Sequence, residues 1–102
     1  EIDTGISGRT AQVVAEKMWN IAKYRQVLCV THLQQIAAMA GSQYLVIKTE
    51  RDGRTFSEIK RLSREERVLE LSRMISGYSK ESASSLSHAE HMLKEAEEYR
   101  RT

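Results

Sequence analysis

Several things are scarce in this sequence, and each scarcity narrows what the chain can be. One cysteine, Cys29, stands among 102 residues; it excludes an internal disulfide and suits a reducing compartment. Apolar runs such as VLCV (Val27–Val30) and YLVI (Tyr44–Ile47) are short. Both fall far short of the ~20 residues that carry a helix across a bilayer, so no membrane partner is expected. No signal or transit peptide is visible. The formal net charge is +2, too small to imply nucleic-acid or membrane binding by itself. There is no G-x-x-x-x-G-K-[ST], hence no cradle of backbone N–H groups and no lysine for nucleotide phosphates. No internal repeat occurs, and no methionine stands first. A fragment or processed chain is expected, amounting to one domain or part of one. Its 40% of apolar residues supply a modest core.

What is present is strongly periodic. Ala11, Val14, Ala15, Met18, Ile21 and Ala22 recur at three- and four-residue steps, which predicts an amphipathic helix from about Gly8 to Tyr24 with Ser7 as N-cap. VLCV, ending abruptly in Thr31 and His32, reads as a short buried parallel strand. LQQIAAMA is a short helix stopped by Gly41. SQYLVIKTE and TFSEIKRL are strand-like and meet at Asp52-Gly53, a hairpin turn. Ser63 and Glu66 form a capping box for a helix with Val68, Leu71 and Ile75 on one face, ended by Gly77. A serine-rich connector then leads to a last helix striped with Leu86, Ala89, Leu93 and Ala96. The expected class is α/β, in the order helix, strand, helix, hairpin, helix, helix. The division is 1–78 for the main body and 79–102 for the connector and last helix. A buried parallel strand needs a neighbour, and the expected place for it is ahead of Glu1.

In open α/β sheets, ligands sit beyond the carboxyl ends of the parallel strands. Two polar groups are expected there: Glu1 with Asp3, and Thr31 with His32. A carboxylate and an imidazole at adjacent strand ends suit activation of a water molecule beside bound phosphate.

EIDTGISGRTAQVVAEKM, VLCVTHLQQIAAMA and ISGYS, together with the late LSHAEHML, closely resemble the C-terminal end of the bacterial RecN family. These are DNA double-strand-break repair ATPases of the SMC-like branch of the ABC ATPases. The resemblance implies the C-terminal part of an ABC-type (P-loop NTPase) ATPase head lacking its phosphate-loop half. It further implies that Glu1 ends the Walker B motif and polarises the attacking water. The aspartate that helps hold Mg²⁺ would stand just ahead of Glu1. IDTGISG would be the D-loop between two engaged heads, with Asp3, Gly5, Ser7 and Gly8 as its key residues. His32 would be the switch-loop histidine contacting the γ-phosphate. The cofactors implied for the intact protein are ATP and Mg²⁺, with none expected on this fragment, which should not hydrolyse ATP alone. Implied partners are the N-terminal half of the same head, a second head of a homodimer, and DNA. The implied location is cytoplasmic and nucleoid-associated. Two positions depart from the family pattern: Gln34 stands where proline is usual, and GSQ where an acid and a histidine follow the helix. Both bear on the helix after His32.

Plainer readings stand beside these. His32 could be a hydrogen-bonded structural histidine, and Gly5 and Gly8 could serve tight turns only. ISGR and ISGY faintly resemble the Ser-Gly-Gly signature loop of ABC ATPases; the first reads as D-loop and the second as a helix stop. His88, His91 and Glu95 read as a solvated helix face rather than a metal site. KRLSREER could touch DNA phosphates, but Glu65 and Glu66 dilute it and the capping box has its own task. Cys29 reads as a buried, inert thiol. The alternative function is a non-catalytic module that self-associates through an unpaired sheet edge and apolar helix faces.

Overall fold

The computed structural model describes residues 7–77 and 83–102. Its elements are α1 (Gly8–Ala22), α2 (Gln34–Met39), β1 (Tyr44–Arg51), β2 (Arg54–Arg61), α3 (Arg64–Ser76) and α4 (Ala83–Arg100). The class is mixed: helices beside a two-stranded antiparallel sheet.

Each boundary has a local cause. Ser7 caps α1, its Oγ accepting from the Thr10 N–H at 3.3 Å. At α3 the capping box is complete, with Ser63 Oγ accepting from the Glu66 N–H and the Glu66 carboxylate accepting from the Ser63 N–H. Gly77 ends α3 at φ 65°, a conformation that glycine enters without a Cβ penalty. The β1–β2 turn holds Asp52 at φ 52° and Gly53 at φ 74°, both positive as a type I′ hairpin requires. Register runs from Tyr44↔Arg61 to Arg51↔Arg54 without a bulge.

The core lies among the helices. Ala15 of α1, Ile36–Met39 of α2, Leu71 of α3, and Ala89, Leu93 and Ala96 of α4 form one buried cluster. Small residues dominate it, so helix backbones approach closely. Leu71 and Leu93 are its largest fully buried side chains. Cys29 is half-buried against the same cluster.

The expected strand at Val27–Val30 is not formed. Residues 26–33 carry no regular structure, and no described strand pairs with them. A strand is a ladder of shared hydrogen bonds, and a lone apolar run cannot make one. Nor is the run buried: Leu28 is 90% and Val30 76% exposed. The order is therefore helix, helix, hairpin, helix, helix.

Candidate functional site

Of the six residues expected at the site, Glu1, Asp3 and Gly5 lie outside the described residues. Ser7, Gly8 and His32 lie within them. Ser7 is committed to starting α1: besides capping Thr10 N, its hydroxyl donates to Thr10 Oγ1 at 3.1 Å, and its carbonyl accepts from the Ala11 N–H at 2.8 Å. Gly8 is the first residue of α1, and a Cβ there would meet Gln35 Nε2 at 3.2 Å. That spacing is tight, so the absence of a side chain at Gly8 lets the start of α1 approach α2.

His32 is exposed and stands two residues ahead of α2. The Leu33 N–H donates to Thr31 Oγ1 at 3.0 Å, which turns the chain into the helix. Leu33, as N-cap, offers no side-chain acceptor. The start of α1 and the segment carrying His32 thus meet through Gly8 and Gln35, two α-helix beginnings side by side.

A helix of six residues is too short to persist on its own; α2 is held from its other end. Arg67 of α3 is 7% exposed and reaches under α2. Its guanidinium donates to the carbonyls of Ala37 at 3.1 Å, Ala38 at 3.3 Å, Ala40 at 2.8 Å and Gly41 at 3.5 Å. It also donates to Gln43 Oε1 at 3.2 Å. Arg100 of α4 adds a bond to the Ala38 carbonyl at 2.7 Å while its guanidinium lies over the Trp19 ring. Two cations therefore face the carbonyl end of α2, where orphan acceptors and the helix dipole favour positive charge. Burial, then the neighbouring Arg100, push Arg67 down to about 10, which leaves it charged at neutral pH.

Arg67 was not singled out in the sequence, where it sits inside the charged run KRLSREER. A signal was available: Arg67 precedes Leu71 by four residues and Ile75 by eight, so it lies on the apolar face of α3. Three more charges of that run are paired as well. Lys60 bonds the Glu66 carboxylate, and Arg64 bonds Glu97 at 2.9 Å and Glu90 at 2.9 Å on α4. Hydrogen bonds from Lys60, then from Ser63, hold Glu66 down to about 2. Bonds from Arg64 lower Glu97 as well. On α4, His91 Nε2 and Glu95 Oε1 sit 2.8 Å apart as an i, i+4 pair, and no cluster among the described residues has the make-up of a metal site.

No family model matches the chain. Curated relatives do. The DNA repair protein RecN of Bacillus subtilis is 44% identical over 102 residues, all of this chain and 18% of that protein. RecN of Deinococcus radiodurans is 48% identical over 93 residues, 91% of this chain and 16% of that protein. RecN of Halalkalibacterium halodurans is 49% identical over 77 residues, 76% of this chain and 14% of that protein. The chain spans less than a fifth of the length of these relatives.

Proposed function

Because this chain belongs to the RecN family, we propose that it is the C-terminal part of an ABC-type, SMC-like ATPase head working in DNA double-strand-break repair and recombination. The observation that carries the reading is the meeting of α1 and α2. Gly8, at the end of the D-loop motif, packs against Gln35, three residues after His32. In an engaged head that arrangement lets the D-loop and the switch histidine respond to one another.

Within this reading His32 donates a hydrogen bond to the terminal phosphate of ATP, and its exposed ring is suited to it. Glu1 holds the attacking water, and Asp3, Gly5, Ser7 and Gly8 line the junction with a second head. ATP with Mg²⁺ supplies the phosphoanhydride, and its phosphates must be gripped by the other half of the head, since this chain has no phosphate loop. Positioning and charge neutralisation are most of phosphoryl-transfer catalysis, so the 102-residue chain alone is inert. The same reading puts the intact protein in the cytoplasm, on the nucleoid, as a homodimer of heads on DNA. No described helix is long and apolar enough to cross a membrane.

In the complete protein, His32→Ala should lower ATP turnover on the order of 10²-fold, and Glu1→Gln should lower it at least as far. Unchanged turnover in His32→Ala, or hydrolysis by this chain alone, would count against the reading.

The 90% exposure of Leu28 and 76% exposure of Val30 favour a second behaviour for the isolated chain, self-association through this apolar segment. Light scattering tests it: a concentration-independent monomer rules it out.

A further inference from the structure

Several arginines are committed to the protein itself. Arg64, Arg67, Arg73 and Arg100, in α3 and α4, each hold acceptors on the protein itself. Arg51 and Arg54 do not. They are the last ladder pair before the hairpin turn, directly opposite one another, and both are exposed. Among the described residues neither has a carboxylate within ion-pair distance, although Glu50 and Asp52 are close in sequence. Strand alternation places Glu50 with Thr55 on the other face of the hairpin, and Asp52 lies in the turn. Like charges directly opposite on a sheet repel and weaken it, so the fold gains nothing from this pairing. The next residue along the shared face is Phe56, 42% exposed, with the Arg51 guanidinium 5.0 Å over its ring. Stacking of this kind holds the fork of donors in a fixed plane.

We propose that the Arg51–Arg54 pair at the tip of the β1–β2 hairpin grips the phosphodiester backbone of DNA. Two planar guanidinium forks, side by side and unneutralised, match successive phosphate oxygens, and a bound phosphate relieves the repulsion that the ladder imposes. A two-stranded ribbon is narrow enough to enter a major groove, which brings the tip to the backbone. The rest of the hairpin carries the load of presentation: its register is fixed by the type I′ turn, so both arginines point to one side. This proposal rests on the DNA-repair reading for its partner and adds the place of contact.

The test uses the complete protein and a fluorescent 30-base-pair duplex, with anisotropy titrations across a salt series. Arg51→Gln/Arg54→Gln should weaken binding about 10-fold at moderate salt, and should flatten the slope of log Kd against log salt by about 2. Arg51→Lys/Arg54→Lys should keep most of the slope. The control, Lys17→Gln/Lys94→Gln, removes the same charge from exposed helix positions on α1 and α4 and should change little. Equal losses in the control pair, or an unchanged slope in the arginine pair, overturn the proposal while leaving the family's DNA reading intact. A wild-type protein that does not bind the duplex at all overturns both. Inorganic phosphate at millimolar concentration should not displace the duplex; displacement would point to a single-anion site and against a backbone contact. Thermal melting guards against misfolding, since removing a repulsive pair should leave the melting temperature unchanged or raise it.

Discussion

In the helical layer Ala15, Ala38, Leu71, Ala89 and Leu93 are all at most 1% exposed. Of the sixteen residues of β1 and β2, only Leu45 is even half-buried. The helices are held by packing across the sequence, with α4 closing onto α2 and α3. The hairpin is held by its own ladder and a turn of two residues, and an isolated two-stranded sheet is marginal in water. Tyr44, Val46 and Ile59 lie on one face of it, 54%, 56% and 71% exposed. The difference separates tertiary from local stabilisation within one short chain, and it says where substitutions will be felt globally.

The largest effect should come from the helical side. Arg67→Leu fills similar space but leaves the Ala40 carbonyl without its donor, and leaves Ala37 only the Ala40 N–H and Ala38 only Arg100. Buried acceptors left unmade cost about 1–3 kcal/mol each, and shared donors and relaxation bring the expected loss to roughly 3 kcal/mol by chemical unfolding. A loss under 1 kcal/mol would mean that α2 is held by apolar packing alone. Next comes Gly53→Ala, which puts a Cβ on a residue at φ 74°; it should cost about 1 kcal/mol. Hydrogen exchange should show that cost in the amides of β1 and β2 and not in α3 or α4. If α3 loosened equally, the hairpin would not be the separate unit described above.

The smallest effect is electrostatic. Glu66 titrates at about 2 when folded, against an ordinary 4.5. A depressed carboxylate contributes stability above its unfolded pKa and loses it as pH falls through the folded one. The window is therefore from about 4.5 down to about 2. Glu97, lowered by Arg64, acts in the same direction. Glu66→Gln should unfold more readily than wild type at pH 6, and that gap should close by pH 2. Exposed pairs are screened, so the gap should also shrink in high salt.

How far the sequence could be read follows the same division. The capping box at Ser63, the glycine stop at Gly77 and the Asp52-Gly53 turn were legible because each is a rule about neighbouring residues. The stripe Ala89, Leu93, Ala96 was legible because periodicity reports a face. Val27–Val30 was misread because an apolar run states a wish for burial, and the ladder that makes it a strand lies in other residues. Arg67 was missed because its charge outweighed its position on the face of α3. Of the expected site, the capping role of Ser7 was legible; His32 was expected at the end of a strand that is not formed, and only its position ahead of the short helix was legible. The approach of Gly8 to Gln35 was not, since nothing in either stretch announces the other.

The bonds from Arg67 to the end of α2 have one more consequence. A six-residue helix whose far end is tied by one guanidinium to four carbonyls has lost the freedom to slide along its axis. Its buried side chains, Ile36 to Met39, hold it sideways as well. A push at the start of α1, delivered where Gly8 meets Gln35, is therefore received by a fixed strut and passed on to α3.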